Sequence, residues 1–120
     1  MFFLSGILMC LLVQVKAQPV ITLSKGIAHV KECFEGIKDA LAANDGAAAQ
    51  NKAKDLVKAL NEVPVKYMTP AQVSQWTKYS TQLLSESTQI SQTSTVASQQ
   101  VPFTSLSTDL QAAIDALKLK

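Results

Sequence analysis

The sequence has no arginine, a single histidine (His29) and two cysteines, Cys10 and Cys33. Each scarcity excludes something. Without guanidinium forks, and with 11 lysines against 9 carboxylates, the chain is a poor binder of phosphate or nucleic acid. Nor is there a basic patch interleaved with aromatic residues. One histidine restricts Ser-His-Asp or Cys-His chemistry to arrangements built on His29, and the sequence supplies no orienting third group for it. A phosphate-cradling glycine loop, a Cys-x-x-Cys pair, a His-x-x-x-His pair and a methionine-rich run are all missing. The expectation is a protein that is not an enzyme, with no catalytic residue.

Long hydrophobic runs are equally scarce, and the chief one stands at the start, "MFFLSGILMCLLVQVKA". Its apolar stretch, Phe2 to Val15, is too short for a comfortable bilayer span. Val15 and Ala17 occupy the small-residue positions of a signal-peptidase site, which predicts cleavage after Ala17. No lysine precedes the run, so a buried N-terminal helix or an uncleaved anchor is the alternative. Met9 stands where a lipoprotein site before Cys10 needs a small residue. The expected organisation is a signal peptide over 1–17 and one helical-bundle domain over 18–120. The product would be periplasmic or secreted, with no stable membrane span once the leader is removed. Cys33 would then lack an intrachain partner, leaving it buried, paired between chains, or a free thiol.

Apolar residues at helical spacing make up most of the remainder. Ile27, Val30, Phe34, Ile37 and Leu41 step by three and four, predicting a first helix over roughly Thr22 to Ala43. "ANDG" stops it, and Asp45 is a good cap for a second helix, roughly Gly46 to Glu62. That helix carries Ala49, Ala53, Leu56, Val57, Leu60 and Val63 on one stripe, and its alanine-rich start admits a close neighbour. Pro64 ends it. "TPAQ" then holds a capping Thr69, Pro70 at the first helical position and Gln72 to complete a capping box. In this third helix Val73, Trp76, Leu83, Leu84 and Ile90 are expected to point inward. Ser80 and Ser87 share the stripe and would allow close packing or bond back to the backbone.

"SESTQISQTSTVASQQ" has the composition of a linker. Val96, Phe103, Leu110 and Leu117 nevertheless fall seven apart, with Leu106, Ala113 and Ile114 between them. The register predicts a fourth helix, about Thr95 to Lys118, kinked at Pro102. A helix that begins at Pro102 is the alternative. Short connections make neighbours antiparallel. The expected fold is all-α, an up-down-up-down four-helix bundle preceded by a signal peptide.

Candidate ligands are few. His29 and Cys33 are four apart in "AHVKECFEGIKDAL" and share one side of the first helix. At about 100° per residue, the apolar stripe centres near Phe34 and Leu41. Cys33 then lies at its edge, and His29 faces solvent. The two could hold a soft ion such as copper(I) or zinc, with Met68 as a third donor. The bland alternative is a packed thiol and a surface histidine. Glu32, Glu35 and Asp39 with Lys31 and Lys38 form a charged flank, expected to be a solvated face. Tyr67, Trp76 and Tyr79 are expected in core and rim.

These residues also resemble a family. "FEGIKDALAANDGAAAQNKAKDLVKAL" is similar to the start of the bacterial domain-of-unknown-function family numbered three-three-four-seven. Members open with an aromatic, "LKDAL", an acidic break and an alanine-rich helix, met here by Phe34, Ile37 to Leu41, Asp45, and Ala47 to Leu60. Trp76 matches the tryptophan of the third helix. Gln99, Phe103, Leu106 and Ser107 meet the fourth-helix pattern, with Gln100 where members carry arginine. Relatives often continue into a Cys-Pro-Met segment where this sequence reads "ALKLK". The resemblance implies an exported helical domain of the kind also attached to copper/silver efflux membrane-fusion adaptors. It therefore implies a binding or interaction module, with an efflux adaptor or other envelope protein as partner and copper as a candidate ligand. A structural envelope protein acting through a partner or dimerisation, with no metal role, is the alternative.

Overall fold

The computed structural model describes residues 22–118, which form four α-helices and no strand. The leader and its cleavage site, with Cys10, lie outside the described residues. α1 spans Leu23–Ala42, α2 Gly46–Asn61, α3 Pro70–Ser91 and α4 Val96–Leu117. A single 3-10 turn, Val65–Tyr67, interrupts the α2–α3 connection.

Local chemistry sets the boundaries. The Thr22 hydroxyl accepts from the Lys25 amide at 3.2 Å and the Asp45 carboxylate from the Ala48 amide at 3.0 Å. At Thr69 both capping-box bonds form: the hydroxyl accepts from the Gln72 amide at 3.1 Å, and the Thr69 amide donates to the Gln72 side chain at 2.9 Å. α4 runs through Pro102, as its register predicts, with Thr95 at the cap position. Inside the helix that proline forgoes its bond to the Ser98 carbonyl.

α1 packs on α2, α2 on α3 and α3 on α4. One core results, with Val30, Ile37, Leu56, Leu83, Ile90 and Leu106 fully enclosed. Each such aliphatic side chain contributes on the order of 1.5–3 kcal/mol by leaving water. Ala49 and Ala53 are fully buried, so the backbones of α2 and its neighbours approach closely, as the alanine-rich start implies.

Three expectations are corrected. Phe34 is only half-buried, and Cys33, 7% exposed, belongs to the buried face of α1 instead of its edge. The small residues Gly26, Cys33 and Ala40 all face inward, and Phe34 sits at the rim. Val73 faces water, 37% exposed. In that first turn of α3 the contact across the bundle comes from Gln72, whose side-chain amide donates to the Leu117 carbonyl at 2.8 Å. Phe103 is half-buried rather than central.

Ser87 is fully buried and donates to the Leu83 carbonyl at 2.7 Å, the back-bond expected of it. Among the described residues no helix is long and apolar enough to cross a membrane.

Candidate functional site

Among the described residues, the fourth side of the helix set is open. α1 and α4 meet at little more than one place, the stacked rings of Phe34 and Phe103, 5.1 Å apart and 10° from parallel. A groove of about 960 Å³ lies between the two helices beside that stack. Ala28, Phe34, Leu110, Ala112 and Ile114 give it an apolar lining. Lys31, Glu32, Glu35, Asp39 and Asp115 supply its charge, one cation against four anions among the described residues. The charged flank of α1 is thus one rim of a groove as well as a solvated face.

A smaller cleft of about 380 Å³ lies between α1 and α2. His29, Cys33 and Glu32 line it from α1, and Lys52, Asp55 and Lys58 from α2. His29 is exposed, with its ring nitrogen Nδ1 3.5 Å from the Glu32 carboxylate. Burial pushes the Cys33 thiol up from its ordinary pKa, Asp55 and Glu32 add to this, and Lys52 opposes it. The thiolate that a soft metal prefers is therefore disfavoured. Met68 is buried at the end of the 3-10 turn, its amide donating to the Val65 carbonyl at 2.9 Å, and does not line this cleft. The structure brings His29 and Cys33 to one cleft and places Met68 outside it. Among the described residues no three His, Cys, Asp or Glu side chains are arranged to hold a metal ion.

Two polar features of the core escape a reading of apolar spacing. Glu86 on α3 is 8% exposed and faces the Asp109 carboxyl on α4. Burial first, then the neighbouring Asp109 carboxyl, push Glu86 up to about 8, so the carboxyl holds its proton at neutral pH. Its buried Oε1 has no hydrogen-bond partner. A signal existed: Glu86 lies three residues after Leu83 and four before Ile90, on the inward stripe. Gln99 is the second feature. Fully enclosed, its side-chain amide donates to the Thr93 carbonyl at 2.6 Å, the Gly46 carbonyl at 3.0 Å and the Ile90 carbonyl at 3.4 Å. It joins the start of α4 to the start of α2 and the end of α3. Nearby, Gln50 donates to the Ser91 carbonyl at 3.1 Å.

Four amphipathic helices around one apolar core, open on one side, define a helical-bundle domain. The family model described as "Protein of unknown function (DUF3347)" matches residues 30–120, and the chain belongs to that family. The resemblance carried by Phe34, Asp45, Trp76 and Gln99 thus extends to the family model itself. No curated protein and no solved structure gives a significant match.

Proposed function

We propose that the protein is an exported, non-catalytic interaction module that seats a partner in the α1–α4 groove. The observation that carries this is the groove itself: an apolar trough between two helices of the same bundle, closed at one point by Phe34 on Phe103. Contiguous apolar surface with a polar rim is the usual mark of an interaction site. An up-down-up-down order is part of the proposal. It is supported by Gln72 at the start of α3 bonding the end of α4, and Gln50 near the start of α2 bonding the end of α3. Export through a signal peptide rests on Val15 and Ala17 before Gln18. Mass spectrometry of the exported protein should find Gln18 as its first residue.

A photo-crosslinking residue at Gln111, on the groove, tests the docking role. In the native host it should give one discrete adduct that Ile114→Glu abolishes, whereas the same residue at exposed Lys54 gives none. Equal labelling from both positions would defeat the proposal.

A copper-linked role is the second reading, and the shared cleft of His29 and Cys33 is what favours it. Titration with copper(I) under reducing conditions tests it. Unchanged affinity in the double variant His29→Ala, Cys33→Ala would remove both residues from any site. A structural envelope role through dimerisation would instead appear as a concentration-dependent dimer in sedimentation.

A further inference from the structure

Building on the docking role, we infer that the groove takes a cationic amphipathic helix: an apolar stripe flanked by lysine or arginine. Three observations converge on this occupant. The first is shape. The α1 wall runs from Ala28 to Asp39, a rise of roughly 16 Å at about 1.5 Å per residue. That is about three helical turns, the span over which a docked helix presents anchors at i, i+3 or i+4, and i+7.

The second is charge. Glu32, Glu35 and Asp39 follow one another at three and four residues, which aligns them as a row along α1. Asp115 stands on the α4 rim, where its carboxylate accepts from the Gln111 side chain at 3.1 Å. Glu32 faces His29 at 3.5 Å and Glu35 faces Lys38 at 3.9 Å, while Asp39 and Asp115 have no ion pair among the described residues. Among those residues Lys31 is the one cation lining the groove. A guest with basic flanks meets complementary potential on both rims, and one with acidic flanks is repelled.

The third is what the chain itself offers. Among the described residues, its large exposed apolar side chains are Val65, Tyr67, Val73 and Val101. Val65 and Tyr67 lie on the 3-10 turn and Val101 stands alone on α4, so they form no helical stripe between basic rows. The described residues of a second copy therefore offer no complementary face.

The test uses three fluorescent peptides of about fifteen residues, long enough for three turns and fraying ends. One has a leucine stripe with lysine flanks, one the same stripe with glutamate flanks, and one the lysine composition with its stripe scrambled. The lysine-flanked peptide should bind the full protein at least about tenfold more tightly than either control. The triple variant Glu35→Lys, Asp39→Lys, Asp115→Lys should lose about tenfold and turn the preference towards the glutamate peptide. If that variant fails to fold, the neutral set Glu35→Gln, Asp39→Asn, Asp115→Asn should still level the two affinities. Equal binding of lysine and glutamate peptides to the native protein would overturn the inference. Amide NMR shifts separate the two levels. Preference for the glutamate peptide with shifts at Phe34, Leu110 and Ile114 keeps the docking role and removes the cationic partner. No shift with any peptide and no adduct from Gln111 removes both. A dimer that covers Ile114 would put a second copy in the groove and overturn the cationic helix.

Discussion

Cys33 and Glu86 show how burial sets the chemistry of a single side chain. The Cys33 thiol is enclosed by α1 and α2 and held towards its neutral form. It should therefore react with a thiol reagent far more slowly in the folded protein than in urea, with the rate tracking local opening. An interchain disulfide would require that side chain to leave the core. Fast labelling of the native protein would contradict a Cys33 packed between the two helices. For Glu86 the sign follows from proton counting. The folded state keeps the proton up to about 8, whereas a free carboxyl releases it near 4.5. The native state thus binds more protons in that window, and stability falls as pH rises through it. Glu86→Gln should flatten the dependence and raise the melting temperature at the alkaline end. A melting temperature that climbs across the window in the unsubstituted protein would contradict the assignment.

At the scale of the element, the caps were legible and the rolls were not. Asp45 and the Thr69–Gln72 box each state a helix start in two to four adjacent residues, and each forms its bonds. The register of α4 through Pro102 was legible for the same local reason: a heptad pattern survives one lost hydrogen bond. Which way a helix rolls depends on its neighbours. The stripe of α1 centres on Phe34 when only apolar bulk is counted. The structure instead buries Gly26, Cys33 and Ala40 on the inward face and leaves Phe34 half-buried. A Cβ at Gly46 would collide with the Ser94 carbonyl where the α3–α4 connection crosses the start of α2. Gly46→Ala should gain helix propensity yet lose roughly 1–3 kcal/mol net through overpacking. Urea denaturation measures this directly, and a stabilised variant would show that the connection can move aside.

For the molecule as a whole, the sequence makes four helices and one core legible, and leaves the open side hidden. Four stripes of similar width suit a closed square bundle. The gap between α1 and α4 depends on where Phe34 and Phe103 meet, a pairing of residues far apart in the chain. The polar core residues were hidden for a different reason: Glu86 and Gln99 belong to residue types normally assigned to the surface. The open arrangement has a dynamic consequence. α1 is secured by α2 and by one aromatic stack, whereas α2 and α3 each have two full neighbours. Amide hydrogen exchange should therefore be faster in the outer helices α1 and α4 than in α2 and α3, and Phe103→Ala should accelerate it in α1 while leaving α3 nearly unchanged. Uniform exchange across all four helices would speak against this ranking.

Gln99 acts across that same whole. Its two N–H bonds are shared among the carbonyls of Gly46, Ile90 and Thr93, so one side chain ties the start of α4 to the start of α2 and the end of α3, while its buried Oε1 has no partner. Sliding α4 by a turn, about 5.4 Å, would carry the amide away from all three carbonyls and strand it in a dry place. Oily stripes alone tolerate such slippage, and this side chain does not. It works as an alignment key that admits one meshing of the rods and rejects the near misses.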